Sequence, residues 1–338
     1  MKKAYFCVVI TALLFGTMEV ACKIGGSSLD PFQLTFLRFL IGGCVLLPFA
    51  ITHLKRNKIR INGKDLLSLA GVGFLGVTVS MSMFQFSIMI CNASTVSVLI
   101  CVNPFFTMVF AHFFTSEKLD AGKLGILAVA LTGIFFMFRP WDIQEGNTAL
   151  GMGLMIGAAF VFGLYTVAGK QAQRKIGLMA QTSISFLFGS GFLLVIMLIL
   201  GRPVISGIPG NVPVILYAGI MVTGVGYFFY FKAIELADAS TGAFAFFLKP
   251  AIAPIIAVIV LKETILWNTV VGIAFVLAAS LLNILHQKRE SHRKYIEDHR
   301  KMANSRHRLK GPENTGRRIQ INERNDDRHG YQNNRRDI

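Results

Sequence analysis

Two stretches decide the fold of this 338-residue chain: residues 93–117 read ASTVSVLICVNPFFTMVFAHFFTSE and residues 239–263 read ASTGAFAFFLKPAIAPIIAVIVLKE. Both begin with Ala-Ser-Thr, carry a proline at the twelfth position and end on glutamate, at an offset of 146 residues. Both are otherwise almost wholly apolar and lack the period-2 alternation of a barrel strand. About 20 such residues, rising about 1.5 Å each, cross the roughly 30 Å hydrocarbon core of a bilayer. Each stretch is therefore predicted to form a transmembrane helix.

The rest of the chain repeats this character. Hydrophobic residues make up 53% of the sequence and charged residues only 15%, against about 25% in soluble proteins. Because lipid offers no hydrogen bonds to the backbone, each long apolar run is expected to be helical. The predicted fold is an all-α integral membrane protein with ten transmembrane helices, at residues 4–24, 32–53, 66–90, 93–114, 123–138, 149–169, 178–200, 213–236, 240–261 and 268–286.

An internal repeat divides these ten helices into two groups of five. Besides the two stretches above, Phe15-Gly16 matches Phe162-Gly163, and Ala70-Gly71 matches Ala218-Gly219, at offsets of 147 and 148 residues. An odd number of helices per repeat means that the second repeat starts from the opposite side of the membrane, so the repeats are inverted. Such repeats place a binding site at their interface near the bilayer midplane. The predicted units are residues 1–147, 148–286 and a tail at 287–338.

Lysine and arginine positions give the orientation. Basic residues concentrate in the loops after the second, fourth and sixth helices and in the tail, which has 15 Lys/Arg against 8 Asp/Glu. The positive-inside rule therefore places both termini in the cytoplasm. The tail lacks apolar periodicity and is predicted to be disordered and to bind anionic lipid. Nucleic-acid binding is the alternative, but the tail has only two tyrosines among its basic residues, which is too few to support it.

Three charged residues are predicted to lie deep in the membrane. Away from the helix ends, near the centre of the membrane, a charge costs about 2.5–3.5 kcal/mol. The residues placed there are Glu19, Arg38 and Lys249. They are candidate substrate-binding residues that share one cavity. The alternative is a structural Glu19–Arg38 ion pair, with Lys249 bonded to backbone carbonyls. An isolated Glu19 carboxyl would also favour its neutral form, which makes proton coupling a possible role, opposed by a nearby Arg38 or Lys249.

Five uncharged polar residues at depth are further candidates for the substrate-binding site. Asn103 and Gln85 either line the transport path or form interhelical hydrogen bonds. Tyr165, Tyr227 and Tyr230 either contact the substrate or simply pack.

The recurring proline and glutamate have separate expected roles. Pro104 and Pro250 each remove a backbone donor inside a helix, which predicts a hinge at symmetric positions or, alternatively, only a kink. Glu117 and Glu263 lie where their helices end, which favours a structural role.

Motifs typical of other function classes do not occur in the sequence. The sequence contains no phosphate-binding loop, zinc motif or nucleophile elbow, and its five cysteines show no metal-binding spacing. No cofactor or metal is therefore predicted, and the chain is not expected to be an enzyme. A membrane-embedded lipid-modifying enzyme, a channel and a non-transporting membrane receptor are the alternatives to a carrier.

One set of residues in the sequence is shared with a known family. The set consists of Phe15-Gly16-Thr17, Lys23, Leu37-Arg38-Phe39, Pro104, Glu117, Pro250 and Glu263. Through these residues the sequence resembles the drug/metabolite transporter superfamily, specifically proteins with two EamA-type domains. That resemblance implies a ten-helix carrier of inverted repeats with cytoplasmic termini, which moves amino acids or other small metabolites and often exports them.

The charges at depth indicate the kind of solute. Glu19, Arg38 and Lys249 sum to +1 when all are ionised, and an unpaired buried cation is unfavourable unless a negative group arrives with the solute. The repeat places the neutral Asn103 opposite the charged Lys249. The charges therefore favour an amino acid or another carboxylate-bearing metabolite, with Lys249 as the anchor of the carboxylate. Taken with the inverted repeats and with the export that the resemblance implies, we expect a secondary transporter that exports such a metabolite across the cytoplasmic membrane by alternating access.

Overall fold

A computed structural model describes residues 2–114, 121–138, 145–236, 249, 252–279, 281–282, 285–286, 289 and 296. All of these except Ile296 belong to one unit, Met1–Arg289. Three predicted features lie outside the described residues: Glu117, Pro250 and nearly all of the basic tail.

Ten apolar helical segments follow one another within the described residues, and each coincides with one predicted span. Seven are long and apolar enough to cross a membrane and three are shorter. The prediction of an all-helical membrane protein is confirmed. The helices are α1 (Lys2–Gly16 and Met18–Gly26), α2 (Pro31–Arg56), α3 (Gly63–Ile90), α4 (Ala93–Phe114), α5 (Ala121–Phe138), α6 (Ala149–Ile176), α7 (Leu178–Ile199), α8 (Ile208–Leu236), α9 (Ile252–Leu261) and α10 (Trp267–Ala279).

Capping residues fix where two of these helices begin. Asp30 precedes α2 and accepts a hydrogen bond from the backbone N–H of Phe32 at 2.9 Å, with Pro31 in the first helical position. Asn62 and Asp65 form a reciprocal capping box at the start of α3. Because these caps satisfy exposed backbone donors, the loops can be short and the helix ends are well defined.

Helices α3 and α8 share an unusual backbone feature. Phe74–Met81 in α3 and Tyr217–Gly226 in α8 are π-helical, with wider turns than the α-helix on either side. The two segments overlap when the repeats are aligned at the 148-residue offset. In α4 a 3₁₀ turn at Ile100–Val102 comes directly before Asn103, where Pro104 removes a backbone donor. The hinge role of that proline stays a prediction.

Contacts between the two repeats are extensive. Helix α2 packs along α7 and against the π-helical segment of α8, while α4 and α3 pack against α6. The crossing of α3 and α7 is especially close, because a methyl group added to Gly73 would lie 2.2 Å from the carbonyl oxygen of Ser185. The first repeat therefore interlocks with the second, and the buried space between them is the natural place for a site.

Candidate substrate-binding site

A cavity lies inside the bundle, between helices of both repeats. Its volume is about 30 Å³, room for one or two water molecules. Most of the wall is aromatic or aliphatic, and four polar or charged side chains interrupt it. The lining residues are Phe15, Met18, Arg38, Phe39, Met81, Phe84, Ile100, Asn103, Phe162, Thr223, Tyr227 and Lys249.

Lys249 forms an ion pair with Glu19. Its ammonium nitrogen lies 2.5 Å from Oε1 of Glu19, and the two side chains are 2% and 0% exposed. Glu19 comes from the second segment of α1, and Lys249 lies just before α9, so the pair joins the two repeats. The structure therefore pairs Glu19 with Lys249 and not with Arg38, the alternative that the sequence suggested. The second carboxylate oxygen, Oε2, has no hydrogen-bond partner among the described residues.

Arg38 has a different environment. It is 1% exposed, and among the described residues its two terminal nitrogens donate only to sulfur, to Cys22 Sγ at 3.5 Å and Met81 Sδ at 3.4 Å. The guanidinium carbon lies 4.7 Å from the ring centroid of Phe39 and 5.5 Å from that of Phe84. Its Nε has no hydrogen-bond partner in the described part of the chain. Aromatic rings and weak sulfur acceptors thus surround a buried cation.

Phe84 connects the two cations. Its ring, which is fully buried, lies 5.5 Å from the guanidinium carbon of Arg38 and 5.9 Å from Nζ of Lys249. The negative face of an aromatic ring attracts cations, so Phe84 favours keeping both charges near the cavity. The structure thus brings all three charged candidates into one region, where their formal charges sum to +1.

Of the uncharged candidates from the sequence, some line the cavity and others do not. Asn103 lines the cavity and is half-buried. Gln85 donates from Nε2 to the carbonyl of Cys22 at 3.2 Å, which is the interhelical hydrogen bond offered as its alternative role. Tyr165 and Tyr230 lie outside the described cavity lining: the Tyr165 ring packs against Phe162, and the Tyr230 ring lies beside other aromatic rings.

Tyr227, the third tyrosine offered by the sequence, lines the cavity directly after the π-helical segment of α8. Other lining residues were not selected from the sequence. Thr223 reaches the cavity from within that segment. Phe15 and Phe162 also line it, and these are the residues matched by the Phe-Gly repeat. That match was a usable signal, because inverted repeats tend to present equivalent residues to a common central site.

Glu263 is the centre of a second cluster of polar contacts, which lies near the C-terminal end of α1. Its Oε1 accepts from the backbone N–H of Ala93 at 2.6 Å, and its Oε2 accepts from the N–H of Ser94 at 3.0 Å and its hydroxyl at 2.7 Å. Nζ of Lys23 lies 3.6 Å from Oε1 and donates to the carbonyl of Cys91. The structural role expected for Glu263 is what this geometry shows: a carboxylate of the second repeat caps helix α4 of the first.

Apolar helices of both repeats thus surround a buried ion pair, a second buried cation and a small cavity. Charges at such depth in a membrane protein are typical of a path or site for a solute. Comparisons with known proteins agree. Residues 2–139 and 149–285 each match the EamA-like transporter family. The chain belongs to that family, and it is a multi-pass membrane transporter with two EamA domains.

Individual relatives support the assignment. An uncharacterized transporter of Clostridium kluyveri is 38% identical over 312 residues, which cover 90% of this chain and 98% of that protein. An S-adenosylmethionine uptake transporter of Rickettsia felis is 25% identical over 282 residues, covering 82% and 90%. One solved crystal structure superposes with a TM-score of 0.60 at 16% identity, covering 86% of this chain and 99% of that one, which shows the shared fold.

Proposed function

We propose that this transporter carries a small carboxylate-bearing metabolite, an amino acid or a close derivative, across the cytoplasmic membrane in the export direction. Both termini lie in the cytoplasm in this proposal. The observation that carries the proposal is the buried charge of the site. Two cations, Arg38 and Lys249, line the cavity, and the single acidic side chain among the three charged residues, Glu19, leaves one positive charge over.

A negative group on the solute removes that imbalance. Moving an unpaired charge out of water is costly, and a bound carboxylate replaces part of the lost hydration with charge-assisted hydrogen bonds. The rest of the wall is apolar, with Asn103 and Thr223 as hydrogen-bonding side chains. The site therefore suits a molecule with a carboxylate at one end and an apolar or weakly polar body.

The cavity size supports alternating access. A volume of about 30 Å³ is too small for an amino acid, so the helices around it must separate to admit one. Interlocked repeats that surround a central site can do this by rocking against each other. Such a cycle exposes the site to one side of the membrane at a time.

The relative from Rickettsia felis adds support for the substrate class. It is named as a transporter of S-adenosylmethionine, which is an amino acid derivative with a free carboxylate. Its name specifies uptake, whereas we propose export for this chain. The two share a substrate class in this proposal and differ in direction.

Two further proposals concern the partners of the transporter. Glu19 can carry a proton only in a state in which its ion pair with Lys249 opens, because the lysine stabilises the ionised carboxylate. The basic tail is proposed to bind anionic lipid through its excess of lysine and arginine.

Transport by purified protein in lipid vesicles tests the substrate class. L-methionine and L-methioninamide form a matched pair that differs at the carboxylate. We expect the protein to exchange labelled L-methionine, or another amino acid from a panel of twenty, and to discriminate against the corresponding amide. Equal transport of acids and amides across the panel would refute the proposed class.

A further inference from the structure

We propose that Arg38, and not Lys249, binds the anionic group of the solute, while the Glu19–Lys249 pair remains an internal neutral unit. This inference rests on the proposed function and deepens it, because it assigns the selectivity for an anionic group to one side chain. It also revises the expectation from sequence, which placed the anchor at Lys249.

The positive charge of Lys249 is already balanced by the carboxylate of Glu19. Its ammonium group lies 2.5 Å from the Glu19 carboxylate, and both side chains are almost completely buried. If a solute took Lys249, Glu19 would be left as an unpaired buried carboxylate, which is strongly unfavourable. Lys249 therefore has little net charge to offer to a second anion.

The hydrogen-bonding capacity of Arg38, in contrast, is largely unsatisfied. A guanidinium group has five N–H donors in a planar fork that matches a carboxylate. Here two nitrogens reach only sulfur atoms, and Nε has no hydrogen-bond partner among the described residues. Arg38 lies within electrostatic range of Glu19 but forms no ion pair with it in the described structure. Its hydrogen-bonding capacity is thus largely unused.

Arg38 is both accessible from the cavity and held in a fixed orientation. Arg38 lines the cavity, whereas Glu19 is absent from the described lining. An anion in the cavity can therefore reach the guanidinium without passing the carboxylate. The rings of Phe39 and Phe84, at 4.7 and 5.5 Å, hold the guanidinium in place. A pre-positioned fork loses less entropy on binding a carboxylate than a mobile lysine does.

The purely structural alternative is that cation–π contacts alone account for Arg38. Such contacts stabilise a desolvated guanidinium. They would be lost in Arg38→Gln, with a fall in stability, but they would not set a preference for an acid over its amide. The acid-to-amide preference of folded protein therefore separates the two roles.

The experiment measures binding of the acid and amide of one amino acid to purified full-length protein by isothermal titration, with exchange in vesicles as a second readout. In Arg38→Gln we expect acid binding to weaken about tenfold to a hundredfold and the preference over the amide to disappear. Arg38→Lys, which keeps the charge without the fork, should retain part of that preference. The double variant Glu19→Gln/Lys249→Met removes both charges of the pair. Because Lys249 lines the cavity, overall affinity should fall in this variant, but the binding that remains should still favour the acid over the amide.

The outcomes are distinct. An unmodified protein that does not prefer acids refutes the proposed function itself. An unmodified protein that does, together with an Arg38→Gln variant that keeps the preference, overturns the assignment to Arg38. Loss of the preference in the double variant, with retention in Arg38→Gln, returns the anchor to Lys249. If Arg38→Gln does not fold, Arg38→Lys decides, because an unchanged affinity and preference there would exclude a role for the fork.

Discussion

Replacing Glu263 by alanine should strongly lower the free energy of unfolding of the protein. The carboxylate is 6% exposed and accepts three hydrogen bonds, from Ala93 N–H, Ser94 N–H and the Ser94 hydroxyl. Hydrogen bonds to a charged group contribute about 1.5–3 kcal/mol each, but a capping residue as a whole contributes only about 0.5–2 kcal/mol. Because the three bonds share one group, we expect a total loss of about 2–4 kcal/mol.

Two smaller changes calibrate that value. Glu263→Gln keeps one acceptor oxygen and should cost about half as much, because the charge and one acceptor are lost. Lys23→Met should cost about 1 kcal/mol, because it removes the hydrogen bond to the Cys91 carbonyl, whereas the ion pair with Glu263 is long, at 3.6 Å, and the lysine is 27% exposed. The expected order is therefore Glu263→Ala, then Glu263→Gln, then Lys23→Met.

Equilibrium unfolding of purified protein in mixed detergent micelles measures these differences as free energies. Glu145→Ala is the matched control, because it removes one carboxylate from an exposed side chain in the loop before α6 and should change stability by less than about 0.5 kcal/mol. A Glu263→Ala variant that is no less stable than Glu145→Ala would refute the view that this carboxylate fastens the second repeat to helix α4.

Three further predictions follow from the packing, the ion pair and the charge distribution. Gly73→Ala should lose about 1–3 kcal/mol of stability in the same unfolding assay, since the new methyl would lie 2.2 Å from a backbone oxygen, whereas Gly71→Ala on the same helix has nothing within 4 Å and should be nearly neutral. Glu19→Gln should lose about 3–5 kcal/mol of stability, because its buried lysine partner is left without a counter-charge, and neutralising that lysine as well should restore most of the loss. The same variant tests proton coupling. If Glu19→Gln leaves the pH dependence of transport unchanged, Glu19 is not a proton carrier. In a cysteine-free background, Ser206→Cys should react with an impermeant thiol reagent from outside cells and Arg60→Cys should not; the reverse pattern would overturn the orientation.

The helices were predictable because lipid leaves the backbone few choices. Apolar runs of about 20 residues must be helical, and the charges at Glu19, Arg38 and Lys249 were conspicuous because they are expensive there. Their depth could be estimated from residue counts, at about 1.5 Å per residue. That estimate brought the three charges to one region, as the structure shows.

Rotational positions were much harder to predict. The runs are apolar on all sides, so the sequence does not reveal which face of a helix points inward, and Glu19 turned towards Lys249 instead of Arg38. In α8 the π-helical segment also changes the angular spacing of residues, so that α-helical counting fails across it. Of the two tyrosines that the sequence offered in α8, Tyr227 lines the cavity, whereas Tyr230 packs beside it.

Capping by Glu263 shows another limit. The repeat indicated a structural role, but the partners lie about 170 residues away in the chain. Only the packing of α9 beside the start of α4 brings them together. A contact of that kind depends on tertiary structure, which local sequence patterns do not encode.

The wide turns in α3 and α8 occupy overlapping places in the two repeats. Aligned at the 148-residue offset, Phe74–Met81 and Tyr217–Gly226 overlap, although few of their residues are identical. π-Helical turns are rare and occur frequently at functional sites. The two halves of the protein therefore share a backbone geometry that a comparison of their side chains alone does not reveal.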